Sequence, residues 1–184
     1  MLILGVDPGT LVTGFAVIES TRAGFDVLAC DVVKNTSEKK MPVRLKNIYD
    51  ALSVVIEQFH PDEFAIETAF YGKNAQSALK IGHARGVSIL AAVNRQIPTA
   101  EYSPREVKRA VVGNGAASKH QVQFMVKQIL KLKTVPKYYD ATDALAVALC
   151  HAQRVGRAST ASSRGRKSSW GDFVREHPKR VVRG

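Results

Sequence analysis

Runs of apolar residues in the first part of the chain predict β-strands. Residues 2–7 form a nearly continuous apolar run that ends at a Pro-Gly-Thr turn, which is typical of a buried strand. Residues 13–18 predict its hairpin partner, and residues 25–33 predict a third strand. Two short strands are predicted later, over 63–67 and 98–102. The chain therefore begins with three consecutive strands and adds two separate ones.

The apolar spacing changes to that of helices between and after the later strands. An apolar stripe from Leu45 to Phe59 predicts the first helix, which Pro61 closes. Further helices are predicted over 74–95, from the capping boxes at Ser103–Glu106 and Ser118–Gln121, and over about 140–151. This order of elements predicts an α/β fold, a five-stranded mixed sheet with helices on both faces.

The charge of the chain is uneven. The 184 residues carry a formal net charge of +11, and 45% of them are hydrophobic, enough for a core. Residues 68–137 have 12 basic and two acidic side chains, and residues 154–184 have nine and two. Clustered basic charge favours a nucleic-acid partner, although a solvated surface or an acidic partner would also fit. We predict a folded domain over 1–153 and a basic, flexible tail over 154–184.

Other features exclude several classes of protein. No apolar run reaches the roughly 18 residues that span a bilayer, and no leader pattern follows Met1, so we expect a cytoplasmic protein without a membrane partner. Cys30 and Cys150 are too few for a disulfide framework and lack zinc-site spacing. The histidines show no ligand spacing, and His83 and His151 are interpreted as helix-surface residues.

Four carboxylates stand at positions where the predicted elements could bring them together. Asp7 and Glu67 end two apolar strands, while Asp140 and Asp143 lie three residues apart on one helical turn. If the two strands are neighbours, all four converge and form a site for a hard divalent cation. Individually, Asp7 could be a turn residue, Glu67 a solvated strand end and Asp140 a helix N-cap. Asp143 precedes an apolar run that places it near the core.

The motifs around these residues have a family counterpart. The sequence resembles the RuvC Holliday-junction resolvases, crossover junction endodeoxyribonucleases of the RNase H-like superfamily. The resemblance covers residues 2 to about 151. Its matching blocks are Leu4–Thr10 with Thr13–Gly14, Ile66–Glu67 with Phe70, Lys73–Asn74, Ser77–Gly82, Ala84–Gly86, Val107–Lys108, Gly113–Gly115, Lys119, Gln121–Val122 and Asp140–Ala146.

The resemblance implies an RNase H-like fold and a homodimer that nicks four-way DNA junctions in pairs during recombination and repair. It implies that Asp7, Glu67, Asp140 and Asp143 hold two Mg²⁺ ions per subunit, with Mn²⁺ as a possible substitute. The expected products carry a 5′-phosphate and a 3′-hydroxyl. Family behaviour also suggests cooperation with the RuvA and RuvB branch-migration complex.

Basic and aromatic residues are predicted to contact the DNA. By the resemblance, Lys108 and Lys119 lie near the scissile phosphate, with Lys119 also catalytic, and Phe70 enters the junction. Tyr71 could stack on a base as well. Weaker candidates for DNA contacts are Lys73, Lys80 and Arg85. The alternative is ordinary surface lysines and arginines, and aromatic residues buried in the core or at the dimer seam.

Two further segments have open interpretations. Ala75, Ala78, Gly82 and Gly86 make a stripe of small residues on the second helix, which fits either a dimer seam or tight packing on the chain's own sheet. In the tail, Trp170 and Phe173 could dock on the body, or the tail could contact DNA nonspecifically.

Three other functions compete with junction cleavage. An actin-like ATPase or sugar kinase shares the first turn but needs a second phosphate-binding domain, for which we expect the chain to be too short. A noncatalytic junction-binding adaptor would need the basic surface but not the four carboxylates. A nuclease acting on RNA–DNA hybrids would use similar chemistry.

Overall fold

The computed structural model describes residues 1–68 and 75–163, with side-chain environments through residue 156. The strands in these ranges are β1 (Leu2–Asp7), β2 (Val12–Ser20), β3 (Phe25–Lys34), β4 (Glu63–Glu67) and β5 (Thr99–Tyr102). The helices are α1 (Met41–Phe59), α2 (Ala75–Val93), α3 (Pro104–Val112), α4 (Lys119–Ile129) and α5 (Tyr139–Ser163). Each predicted strand and helix is present.

The strands form one mixed sheet in the order β3-β2-β1-β4-β5. β1, β2 and β3 are antiparallel neighbours, whereas β1, β4 and β5 run parallel. The parallel pairs are joined through helices, as parallel connections require. Because β1 and β4 are central and parallel, their carboxyl ends meet at one edge of the sheet.

Helices cover both faces of the sheet. On one face, Ile3 and Ala65 pack with the apolar sides of α3, α4 and α5. On the other face, Leu4, Val6 and Phe64 pack against α1 and α2. Alternate residues of β1 and β4 therefore belong to different cores, as the two-residue repeat of a strand dictates. The five-stranded sheet with helices on both faces confirms the predicted fold class.

The last helix is longer than the sequence pattern indicates. It begins at Tyr139 and ends at Ser163, not near His151, since no proline interrupts its small and polar continuation. The chain divides into two compact units, residues 1–153 and 154–184. Of the second unit the structure describes the end of α5, and the flexibility of 154–184 stays a prediction. In the described part of the chain, no helix has the length and apolarity needed to cross a membrane.

Candidate active site

Two of the four carboxylates come from the central strands. The β1–β4 register pairs Val6 with Ile66, and the strands end one residue later, at Asp7 and Glu67. Both side chains point to the face covered by α5, because they continue the alternation of Ile3 and Ala65. Strands β1 and β4 are therefore neighbours, as the predicted convergence of the four carboxylates requires.

Helix α5 delivers the other two carboxylates because glycines let it lie directly on the sheet. A Cβ atom on Gly14 would be 1.9 Å from the Asp140 carbonyl oxygen. A Cβ atom on Gly5 would be 2.3 Å from the Ala144 carbonyl oxygen. Gly14 is also the β2 partner of Asp7, so this contact places the first turn of α5 beside the end of β1. Asp140 lies within that turn and is not the N-cap.

Lysines approach the carboxylates from α3 and α4. Both helices begin with the predicted capping boxes, in which Ser103 pairs with Glu106 and Ser118 with Gln121. A cavity of about 300 Å³ opens between these helices, α5 and the strand ends. Its charged lining consists of Asp7, Glu67, Asp143, Lys108 and Lys119. The lysine ammonium of Lys119 is 3.4 Å from Asp143 Oδ2.

Burial and repulsion by neighbouring carboxylates raise the pKa of Asp7 and of Glu67. The pKa of Asp7 is raised from 3.8 to about 8, first by burial and then by the charges of Glu67, Asp143 and Asp140. The pKa of Glu67 is raised from 4.5 to about 7 by burial and by Asp143. These shifts show that the four acidic residues belong to one electrostatic cluster.

Lys119 is the cation most strongly coupled to this cluster. It opposes the upward pKa shifts of Asp7, Glu67 and Asp143, the last of which is raised mainly by burial. The pKa of Lys119 is itself raised, mainly by Asp143. Its side chain is 70% exposed, so the ammonium group can also reach an anion that enters from solvent. Lys108 lowers the pKa of Glu67 and lies on the same cavity.

The donor set suits a hard divalent cation, although it is not a closed ligand shell. In ranges 1–68 and 75–163, no three Asp, Glu, His or Cys side chains are drawn together closely enough to hold an ion. The four carboxylates nevertheless supply only oxygen donors, and Glu67, Asp143 and Asp140 each repel the charge of Asp7, which a divalent cation would neutralise. Asp7, Glu67, Asp140 and Asp143 are therefore the candidate metal ligands.

The other predicted DNA contacts lie either away from the cavity lining or outside the described residues. Lys80 is exposed on α2. The Arg85 guanidinium is paired with the Glu101 carboxylate of β5, so a phosphate would have to compete with that carboxylate. Phe70, Tyr71 and Lys73 lie outside the described residues, as do Trp170 and Phe173.

Sequence reasoning missed the buried environment of His151. The prediction of a helix-surface residue is wrong, since His151 is 4% exposed and its Nδ1 lies 2.8 Å from the Tyr102 hydroxyl oxygen. Its Nε2 is 3.6 Å from Glu63 Oε2. The packing roles of Gly5 and Gly14 were also missed. Their positions in strands otherwise made of larger residues are the available signal, since glycine in a strand often marks close backbone approach.

Fold and site together define an RNase H-like nuclease. The structure of Thermus thermophilus RuvC in complex with a Holliday junction substrate has a TM-score of 0.79 and 34% sequence identity to this chain, and the match covers 85% of this chain and 96% of that one. A yeast mitochondrial Holliday junction resolvase, at 12% identity and a TM-score of 0.61, shares the fold over 86% of this chain and 82% of its own.

Sequence comparison narrows the class to a family. The family model described as crossover junction endodeoxyribonuclease RuvC matches residues 3–151. The RuvC of Chlorobium phaeovibrioides is 47% identical over 189 residues, with 99% of this chain and all of that protein covered. The RuvC of Tolumonas auensis is 53% identical over 150 residues, covering 82% and 86%. The chain belongs to the RuvC family of metal-dependent crossover junction endodeoxyribonucleases.

Proposed function

We propose that this chain resolves four-way DNA junctions by two symmetric phosphodiester cuts, one in each subunit of a homodimer, in cytoplasmic DNA recombination and repair. The observation that carries the proposal is the convergence of Asp7, Glu67 and Asp143 with Lys108 and Lys119 on one open cavity. Membership of the RuvC family gives the substrate class. A kinase or ATPase is not supported by this family or by a carboxylate cluster of this kind.

The four carboxylates hold two Mg²⁺ ions per subunit in this proposal, and Mn²⁺ can replace them. Bound divalent ions supply charge neutralisation and Lewis acidity for hydrolysis of a phosphodiester. Asp7, Glu67, Asp140 and Asp143 provide the oxygen ligands, and their mutual repulsion supports this role. The products carry a 5′-phosphate and a 3′-hydroxyl.

The lysines act on the phosphate. Lys119 reaches Asp143 and is largely exposed, so its ammonium group can stabilise negative charge that builds on the scissile phosphate. Lys108, on the cavity wall near Glu67, binds the same phosphate or its neighbour. The Ser118 capping box fixes the start of α4, the point from which Lys119 extends.

The outer surface of α2 forms the dimer seam. A Cβ atom on Gly82 or Gly86 would meet no atom of the described residues within 4 Å, which excludes tight packing of these glycines on the chain's own sheet. Leu79 and Leu90 lie on the same helix and are 62% and 50% exposed. An apolar surface with glycines at helical spacing lets a second copy of α2 approach closely, and a two-fold dimer provides two symmetric cuts.

Recognition of the junction itself uses further contacts. Phe70 and Tyr71 stack on bases opened at the crossover, and Lys73, Lys80 and Arg85 contact phosphates. The RuvA and RuvB complex is the expected protein partner. The roles of Phe70 and of the RuvA and RuvB complex rest on the family resemblance, and the other assignments rest on the aromatic or basic character of the residues.

A mobile four-way junction tests the proposed reaction. In Mg²⁺, the wild-type protein should leave paired nicks at symmetric positions, whereas Asp7→Asn should bind the junction and leave it intact. Asp26→Asn, which removes an exposed carboxylate from β3, is the matched control and should cut normally.

The outcome also separates the alternatives. Binding without nicks from either wild type or Asp7→Asn would support a noncatalytic adaptor. Preferential cleavage of RNA–DNA hybrid duplex over the junction would support the hybrid nuclease. Either result would overturn the proposed function.

A further inference from the structure

A second basic cluster lies beside the carboxylate site, at the outer edge of the sheet. Lys34 ends β3, and its ammonium nitrogen lies 3.9 Å from the centre of the Tyr138 ring and donates a hydrogen bond to the Tyr138 hydroxyl. The Lys137 ammonium nitrogen is 5.7 Å from the same ring centre. Lys34, Lys137 and Tyr138 are called the β3–α5 patch.

The patch carries positive charge that the described side chains leave uncompensated. Lys34 and Lys137 are exposed, and neither forms an ion pair with a carboxylate in the part of the chain that the structure describes. The Tyr138 ring attracts both ammonium groups through its π face, which holds two like charges near one another. Such an arrangement favours an anion that bridges the two lysines.

The sheet register fixes the patch relative to the site. Gly14 pairs with Asp7 on β1 and with Val32 on β3, so Lys34 stands two residues beyond Val32 at the same end of the sheet. Strands are spaced by about 4.8 Å, which puts β3 roughly 10 Å from β1. Cys30 donates a hydrogen bond to the Ala141 carbonyl oxygen, so Lys34, four residues on, lies on the α5 face as Asp7 does.

The patch lies on the β3 side of the carboxylate site. The strand order places β3 on one side of β1 and β4 on the other, so the patch extends the site away from β4 and towards the β3 edge of the sheet. A DNA strand that passes the carboxylates in the direction from β4 to β1 therefore continues towards the patch.

We infer that the β3–α5 patch binds the sugar–phosphate backbone of the junction arm that leaves the active site on the β3 side. This inference rests on the proposed junction-cleaving function. At about 3.4 Å per nucleotide, a separation of roughly 10 Å corresponds to about three nucleotides from the scissile phosphate. The Lys34 ammonium group lies over the Tyr138 ring, where a stacked base would have to lie. The patch therefore contacts phosphate and does not stack on a base. The contact is consequently independent of sequence.

Binding measurements on charge variants test the patch. In an Asp7→Asn background, which prevents cutting, Lys34→Ala with Lys137→Ala should weaken junction binding about tenfold or more. The slope of log affinity against log salt should fall by about 1.8, since each of the two subunits loses one bridged phosphate and each lost phosphate contact accounts for about 0.9. Arg22→Ala is the matched control, because Arg22 is exposed in the β2–β3 turn, at the opposite end of the same strands. It should leave both quantities unchanged.

Neutral phosphates locate the contact on the DNA. Methylphosphonates placed about two to four nucleotides from the cleavage position, on the arm side, should weaken binding by the unsubstituted lysine protein. They should have little further effect on the double lysine variant, as expected when both changes remove one interaction. Lys34→Arg with Lys137→Arg should restore the salt slope.

Two outcomes would overturn the inference: an unchanged salt slope in the double variant, or full additivity of its effect with the methylphosphonates. The proposed function fails by a different result, the absence of junction cleavage by the protein with Asp7 intact. With Asp7 intact, the double lysine variant should cut at the wild-type maximal rate with saturating junction and show a raised KM. A thermal melt equal to that of the parent excludes misfolding as the cause.

Discussion

Helices α5 and α2 lie on opposite faces of the sheet, and both depend on glycine for opposite reasons. At Gly14 and Gly5, a Cβ atom would collide with the backbone of α5, so glycine permits direct contact between helix and strand. At Gly82 and Gly86, a Cβ atom would point into open space among the described residues. The first pair brings the helix that carries Asp140 and Asp143 against the sheet, and the second leaves the outer surface of α2 uncovered by the described residues. The proposed function assigns chemistry to the first face and assembly to the second.

Gly14→Ala should have the largest effect, because its Cβ would lie 1.9 Å from the Asp140 carbonyl oxygen and neither backbone can yield locally. We expect the free energy of unfolding to fall by about 3 kcal/mol, as severe overpacking does, and nicking to be lost as α5 shifts. Denaturant unfolding and junction cleavage measure the two effects. Gly82→Ala is the control for unfolding alone, because its Cβ atom meets no described atom of the same chain. If Gly14→Ala kept wild-type stability and activity, the difference assigned to the two glycine pairs would be wrong.

Lys119→Ala tests whether the sheet face covered by α5 carries a functional cation. Loss of a group that stabilises charge on the reacting phosphate should reduce the single-turnover nicking rate about 100-fold or more. Junction affinity should change much less, since many other basic residues remain. Lys133→Ala removes an exposed lysine from the segment after α4 and should cut at the wild-type rate. Equal rates for both variants would leave Lys119 as a surface residue paired with Asp143.

Much of this architecture is readable from short-range sequence signals. Hydrophobic periodicity predicts all five strands, and the capping boxes at Ser103 and Ser118 predict the starts of α3 and α4. These features succeed because the interactions that define them join residues close together in sequence. The acidic cluster at Asp7 and Glu67 is also predictable once the two strands are assumed to be neighbours.

Features that depend on long-range packing could not be derived in this way. Gly14 in a strand indicates a close backbone approach, but no local pattern identifies Asp140, 126 positions later in the chain, as the residue that it contacts. His151 lies on a helix whose buried side is set by Tyr102 and Glu63, which come from different strands. Asp140 was open to interpretation as an N-cap because helix starts are uncertain by a residue or two.

Asp7→Asn should stabilise the metal-free protein, because it removes a negative charge that burial and the neighbouring carboxylates disfavour. The pKa of Asp7 is about 8 in the folded chain and near 3.8 when unfolded, so between these values the folded state binds more protons. Folding stability from this group therefore falls as the pH rises through that range. With a chelator at pH 8, we expect Asp7→Asn to gain about 1–3 kcal/mol, discounted from the full shift for solvent screening.

Two controls identify the source of that gain. The advantage of Asp7→Asn should narrow as the pH is lowered from 8 towards 5, because wild-type Asp7 becomes protonated. Asp26→Asn, at an exposed position, should show no such pH-dependent gain. Thermal melts over the pH series provide the measurement, and a lower melting temperature for Asp7→Asn at pH 8 would contradict the assigned repulsion.

Gly82→Ala with Gly86→Ala should have the smallest effect on the single chain and tests the assembly face. Alanine is favoured over glycine in a helix by about 1 kcal/mol per position, and neither new methyl group meets a described atom of the same chain. The isolated subunit should therefore become slightly more stable. If a second copy of α2 packs on this surface, the same methyl groups separate the two helices and raise the dimer dissociation constant. Sedimentation equilibrium measures that constant, with Gln128→Ala on α4 as the opposite-face control. A stabilised chain with an unchanged dimer dissociation constant would show that the dimer seam lies elsewhere. A more stable chain that dimerises less tightly requires that the surface left open in one subunit is covered by the other.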